Sequence, residues 1–252
     1  MNFIKNHTRL LLKIFGIGFL VLSLGYLGIK SPEIHTAFIR STVGSKVVTI
    51  RGKRGGGTGF HVQARSGKIY ILTNAHICAL QESGNVNVRL EGSSRYIPRR
   101  VIEVFAKHDL CLVEPVVGVG GVGLSNGVGF GEVIGLIGHP RLTPLTLTKG
   151  QFLGYTNIEL LEKKNVTQSE CNGRFIEISD PLLQLLIGAK SFCFRTLNAG
   201  HISNTTYPGN SGSPVVNFYG NLVGVLFAGN SRAITEGYIV PIKFIKEFLE
   251  LH

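Results

Sequence analysis

Aspartate is nearly absent from these 252 residues; only Asp109 and Asp180 occur. Asp and Glu together number 15 against 26 Lys and Arg, a formal net charge of +11. Such a balance attracts anionic surfaces, whether lipid, nucleic acid or cell-wall polymer, and says nothing about fold. Charged residues make up only 16% and hydrophobic residues 44%, which excludes a disordered chain. Cysteine is scarce as well. Four Cys are too few for a disulfide scaffold, and none stands in a C-x-x-C spacing, so no metal site is expected. Glycine is what the chain has in excess: 33 residues, nearly twice the usual share of about 7%. Without a fixed glycine period, this composition excludes collagen and points to short strands and tight turns.

One long apolar run is present. Leu10 to Ile29 is interrupted by Lys13, Ser23, Tyr26 and four glycines, and a helix of this length spans about 30 Å, the thickness of a bilayer core. Lys5 and Arg9 precede it, so the positive-inside tendency places residues 1–9 in the cytoplasm and the rest outside. No A-x-A site follows the run, and Ser23-Leu24-Gly25 lies within it. Residues 1–30 therefore read as an uncleaved single-pass membrane anchor. The body would lie on the periplasmic or extracellular side, where disulfides are permitted. Secretion after signal cleavage is the alternative.

Residues 31–45 read as a linker and 46–252 as the functional domain. Lys46–Arg51, Thr58–Gln63, Ile69–Thr73, Val86–Leu90, Ile97–Phe105 and Leu110–Glu114 are short, β-branched runs with strand character. They define a first β unit over 46–115. A glycine-rich stretch, Pro115 to Gly131, separates it from a second unit over 131–240. There the expected strands are Val133–Ile137, Thr146–Tyr155, Phe175–Ile178, Phe192–Thr196, Pro214–Phe218, Leu222–Phe227 and Tyr238–Val240. At 241–251, Pro241 opens a helix in which Ile242, Ile245, Phe248 and Leu249 recur at helical spacing. The chain is all-β, two barrels or sandwiches followed by one helix.

A serine hydrolase needs a nucleophilic hydroxyl, an imidazole to take its proton and a carboxylate to fix the imidazole tautomer. Ser211, in Gly209-Asn210-Ser211-Gly212-Ser213-Pro214, is the candidate hydroxyl. The flanking glycines permit a sharp turn, and the Gly209 and Ser211 amides can converge on a developing oxyanion. His76 follows a buried strand in Ile71-Leu72-Thr73-Asn74-Ala75-His76, and Asp109 stands at the mouth of another in His108-Asp109-Leu110-Cys111-Leu112-Val113. After Ser211 there is no Asp and only the terminal His252, which argues against the acid–His order of an α/β-hydrolase.

In the order His76, Asp109, Ser211, these contexts resemble those of chymotrypsin-fold (trypsin-like) serine proteases, most closely the HtrA-like branch. Gly57-Thr58-Gly59-Phe60, Gly135 to Pro140, Leu147 to Phe152, Gly220 to Gly224 and Gly237 to Pro241 fit that branch over roughly residues 40–250. The resemblance implies two six-stranded antiparallel β-barrels with the site in the cleft between them. It implies Ser211 as nucleophile, His76 as general base and acid, Asp109 as orienter, and the Gly209 and Ser211 amides as oxyanion hole. No cofactor is implied. The sequence departs from the pattern in three places. Ser213 replaces a second glycine, no PDZ module follows the final helix, and residues 156–204 form a longer insertion. Asn210 precedes the nucleophile where digestive relatives carry Asp, so activation through a new N-terminal amine is not expected.

The expected substrate is a peptide or unfolded protein. Thr205 and Thr206, with Phe227, Ala228 and Gly229, are expected to line the primary pocket; no carboxylate lies in either segment, so small or medium uncharged side chains are favoured. Phe227–Gly229 should also offer an edge to an extended peptide. Between Arg40 and Phe105 stand eleven Lys/Arg and three Glu, a solvated face or a contact to anionic headgroups. With no recognition helix or aromatic-basic motif, nucleic-acid binding is not expected. Cys78 and Cys111 read as buried free thiols, Cys171 and Cys193 as a bridge outside the cell. The alternative to an enzyme is an inactive protease-fold binding module capturing extended peptides or anionic surface polymers.

Overall fold

Six strands of the first half close on themselves. They are β1 (Val47–Gly52), β2 (Gly55–Gln63), β3 (Ile69–Thr73), β4 (Asn85–Leu90), β5 (Ile97–Phe105) and β6 (Leu110–Val113), in the barrel order β1-β2-β3-β6-β5-β4. The inward set is β-branched and aliphatic. On β4, Val86 and Val88 point in while Asn85 and Asn87 face out, the period of two expected of a half-buried strand. Closure leaves no unpaired edge. The structure, a computed structural model, describes residues 32–52, 55–79, 84–230 and 234–251. The anchor expected over 1–30 lies outside these residues. Among the described residues no helix is long and apolar enough to cross a membrane.

The second half contributes β7 (Val133–Gly138), β8 (Thr146–Lys164), β9 (Arg174–Glu177), β10 (Ser191–Ile202), β11 (Pro214–Val216), β12 (Leu222–Gly229) and β13 (Gly237–Pro241). They form a seven-stranded sheet, β13-β12-β11-β7-β8-β10-β9, in which β10 also pairs with β13. The resemblance implied a six-stranded second barrel; the sheet instead has the seven strands that the apolar runs indicated, the insertion adding β9 to the side of β10. β8, expected over Thr146–Tyr155, runs on to Lys164. Ile158 and Leu160, two apart, keep one face half-buried along the extension. Beyond it, Cys171 and Cys193 form a disulfide, and a short helix (Pro181–Ile187) exposes Leu182, Leu185 and Leu186.

The segment read as a linker is ordered structure. Helix α1 (Pro32–Thr42) leads into β1 through a 3₁₀ turn at Gly44–Lys46. Ile39 and Val43 are fully buried in the same core as Phe60 of the barrel and Val216 of the second sheet. Ile39 is buried while its neighbour Phe38 is exposed, and Arg40, Ser41 and Thr42 separate Ile39 from Val43, so the stretch carries no clean helical period. The C-terminal helix (Ile242–Glu250) buries the four residues expected, with Phe248 stacked on Phe105 of the barrel at 5.1 Å.

The glycine-rich stretch between the two units is stitched to both. The Val122 amide donates to His61 O, and Gln63 N donates to Val122 O. Leu222 N donates to Gly123 O and Ser125 N to Leu222 O. One short run thus joins β2 to β12. His61 anchors its start. Its Nδ1 lies 3.0 Å from Lys46 O, which can only accept, and its Nε2 accepts from Val116 N at 3.1 Å. Both partners are satisfied only by the neutral ring with the proton on Nδ1. Burial pushes its pKa below the ordinary 6.5, with the Arg99 charge adding and the Lys46 carbonyl opposing. The unfolded ring binds a proton more readily than the folded one, so His61 stabilises fully above pH 6.5 and less as pH falls below it. Thermal melts should therefore show a fall in midpoint from pH 7 to pH 5 that is smaller in His61→Gln. An equal fall in the variant would contradict this assignment.

Candidate active site

His76 sits on a single helical turn, α2 (Ala75–Cys78), directly after β3. Asp109 follows the 3₁₀ turn Ala106–His108 at the head of β6, in a left-handed conformation (φ 55°, ψ 43°) that a short polar side chain tolerates. β3 and β6 are paired neighbours, Thr73 opposite Cys111, so the two residues emerge side by side at one end of the barrel. The Asp109 carboxylate uses both oxygens on His76. Oδ1 accepts from the His76 backbone N–H at 2.9 Å, and Oδ2 lies 2.8 Å from Nδ1. Asn74 Nδ2 donates to the Asp109 carbonyl at 3.0 Å. An ionised carboxylate accepts only, so Nδ1 carries the proton and Nε2 is left as the basic nitrogen. Asp109 is 10% exposed and His76 45%, a shielded acid behind an accessible ring.

Cys78 and Cys111, expected as free thiols, form a disulfide between α2 and β6. The pairing Thr73–Cys111 brings the two residues together, a register that local sequence does not reveal. The bridge closes a loop of 33 residues that contains both β4 and β5.

Ser211 lies in a turn between β10 and β11 and is half-buried. Gly209 (φ 94°) and Gly212 (φ 85°) adopt the left-handed region, and a Cβ on Gly212 would come within 1.9 Å of Thr58 O. The turn crosses β2. Thr58 N donates to Ser211 O at 2.8 Å, and Gly57 is the close neighbour of both Ser211 O and the Ile77 side chain. The His76 turn and the Ser211 turn thus meet on Gly57–Thr58. Among the described residues the Ser211 hydroxyl makes no hydrogen bond to His76. The amides of Asn210, Gly212 and Ser213 donate to Tyr207 O, Leu226 O and Asn210 O, whereas those of Gly209 and Ser211 reach no acceptor among the described residues. Ser213, the second serine of the motif, is fully buried with an unpartnered hydroxyl against Gly138, closed to any substrate.

A pocket of about 380 Å³ opens beside Ser211. Thr206, Tyr207, Pro208, Leu226, Phe227, Ala228 and Gly229 line it, with Asn230 and Ile234. Thr206, Phe227, Ala228 and Gly229 stand where expected; Thr205 is not among the lining residues. Asn230 and Ile234 were missed because they arrive only through the return from β12 to β13. A Cβ on Gly229 would lie 2.5 Å from Thr206 Oγ1, so glycine there keeps the pocket open. Thr206 Oγ1 donates to Glu236 O. The Glu236 carboxylate accepts from Asn230 Nδ2 at 2.9 Å and pairs with His201 Nε2 at 3.2 Å, which hold its pKa below the ordinary range. It does not line the pocket, and the described residues that do carry no charge. His108, beside Asp109, stacks on Phe244 of the C-terminal helix at 3.9 Å. No metal-binding cluster occurs among the described residues.

A family model described as a trypsin-like peptidase domain matches residues 57–225. Among curated proteins, the chain is 26% identical over 239 residues to a putative protease Do-like 12, mitochondrial, of Arabidopsis thaliana, an alignment covering 87% of this chain and 41% of that protein. The chain thus spans less than half the length of that relative. Among solved structures, the active form of the Rv3671c protease from M. tuberculosis has a TM-score of 0.62 at 19% identity, covering 87% of this chain and 86% of that one. The HtrA-type protease AlgW with tripeptide has a TM-score of 0.60 at 18% identity, covering 85% and 62%. These likenesses establish the shared fold.

Replacing both Cys78 and Cys111 by Ala should lower stability by about 3–4 kcal/mol, the loop-closure term for a bridge of this span. Urea unfolding of the variant and of the parent gives the difference. An unchanged midpoint would show that the bridge carries no stability.

Proposed function

Because this chain belongs to the trypsin-like peptidase family, we propose that it is a serine endopeptidase working through His76, Asp109 and Ser211. The observation that carries this reading is the two-oxygen grip of Asp109 on His76, which leaves Nε2 basic beside a turn whose Gly209 and Ser211 amides have no acceptor. Ser211 Oγ attacks the peptide carbonyl as His76 takes its proton. The carbonyl oxygen, now negative, is received by the two amides. His76 then protonates the departing amine, and water releases the acyl group by the same route in reverse. Asp109 stays ionised and stabilises the imidazolium that forms.

The uncharged lining among the described residues favours small or medium uncharged residues before the scissile bond, and Phe227–Gly229 gives an extended substrate a strand to pair with. Peptides and unfolded proteins suit such an edge. Membrane anchoring with the domain outside the cytoplasm is supported by the apolar run Leu10–Ile29 and by two disulfides, which persist in oxidising compartments.

One observation favours a second reading, an enzyme at rest until substrate or a partner completes it. The Ser211 hydroxyl has no hydrogen bond to His76, an alignment that in resting enzymes often tightens only on binding. Turnover that appears only after membranes or peptide are added would favour this reading over constant activity.

Ser211→Ala should reduce kcat on an uncharged peptide substrate by at least roughly 10⁴-fold with an unchanged melting temperature. Equal turnover by parent and variant would contradict the assignment.

A further inference from the structure

Each peptide group around Ser211 is pinned by its carbonyl. Pro208 O accepts from Arg141 N at 2.5 Å, Asn210 O from Ser213 N at 2.9 Å, and Ser211 O from Thr58 N at 2.8 Å. The carbonyl of Gly209 accepts from the side chain of Thr58, Oγ1 to O at 2.8 Å. A trans peptide directs its N–H opposite to its C=O. Holding the Pro208 and Asn210 carbonyls against protein therefore turns the Gly209 and Ser211 amides the other way, and those two lack acceptors. The Gly209–Asn210 group between them is held at both ends, by Thr58 Oγ1 on its oxygen and by Tyr207 O on its nitrogen.

Thr58 is fully buried, and its hydroxyl has no freedom of role. It accepts from the His139 backbone amide at 3.0 Å, an obligate donor, so its single proton is committed to Gly209 O. Its own carbonyl accepts from Thr73 Oγ1 at 2.7 Å, which fixes β2 to the strand that leads into His76. Gly209 is the pivot with the most backbone freedom in the turn. Were its carbonyl to lose the Thr58 donor, a buried acceptor would be left unpaired, and rotation toward the open side would relieve it at the expense of the neighbouring amides.

We propose that Thr58 is a positioning residue for the oxyanion-binding amides: its hydroxyl holds the Gly209 carbonyl inward so that the Gly209 and Ser211 N–H groups face the cleft. The proposal rests on the serine-peptidase reading above. Thr58 acts only through the turn, so its loss should affect the transition state and spare ground-state binding.

The test compares Thr58→Val, Thr58→Ser and the parent on one peptide substrate and one peptide boronic acid inhibitor. Thr58→Val keeps the shape and loses the donor. Its kcat should fall roughly 10²-fold, the effect of losing one oxyanion donor, with KM within about twofold of the parent. Its affinity for the boronate should fall in parallel. Thr58→Ser keeps the hydroxyl and should retain most of kcat. If Thr58→Val does not give a cooperative melt, Thr58→Cys takes its place, a weak donor of smaller volume, with kcat expected below that of Thr58→Ser and its boronate affinity reduced in parallel. A Val or Cys variant with parental kcat, a loss confined to KM, or a Ser variant as impaired as Val or Cys would overturn the proposal. A parent that neither turns over nor binds the boronate would overturn the peptidase reading itself, and this proposal with it.

Discussion

The site depends on one contact, the carboxylate of Asp109 held against both the backbone and the ring of His76. A single bond to Nδ1 would fix the tautomer but leave the ring free to swing with its helix turn. The second bond, to the His76 amide, ties the turn itself. Asn74 adds a third tie from the other side by donating to the Asp109 carbonyl. The barrel makes this affordable to a charged group. The two residues lie at the ends of paired strands, where the acid is shielded and the imidazole remains open to the cleft. The disulfide between Cys78 and Cys111 bridges the same two elements and restrains their separation.

The remaining half of the site comes from the second sheet and must be brought to the first. Three features do this. The stretch through Val122 and Gly123 hydrogen-bonds to β2 on one side and to Leu222 on the other. Helix α1 and the C-terminal helix bury apolar residues in a core shared by both units. At the site itself, Gly57 and Thr58 of β2 receive the Ser211 turn directly, with no room for a side chain at Gly212. The candidate site thus lies where β2 of the first half and the Ser211 turn of the second are directly hydrogen-bonded, which suits preorganised electrostatics.

The strands and the terminal helix were legible because short β-branched runs and a helical spacing of apolar residues are local signals. The candidate site was legible in outline because His76 and Asp109, which are in contact, and Ser211, in a glycine-rich turn beside the pocket, each stand in a distinctive local context. What sequence could not supply was set by long-range pairing. The Cys78–Cys111 bridge follows from the register of β3 on β6, and Ile234 reaches the pocket only through a hairpin return. Thr205 and Thr206 were both placed in the pocket by their distance in sequence from Ser211, and of the two only Thr206 is among its described lining residues. Helix α1 was read as a linker because its apolar residues keep no clean helical spacing, with Ile39 buried and the adjacent Phe38 exposed. Thr58 stood within a recognised motif, yet its role lies in bonds to residues more than 80 positions away.

On the proposed mechanism His76, steadied by Asp109, activates the Ser211 hydroxyl. Covalent labelling with a fluorophosphonate, followed by mass spectrometry of the digested protein, tests it most directly. A single adduct is expected, on the peptide containing Ser211, that fails to form in His76→Ala. An adduct on another serine, or equal labelling of Ser211 when His76 is absent, would contradict it.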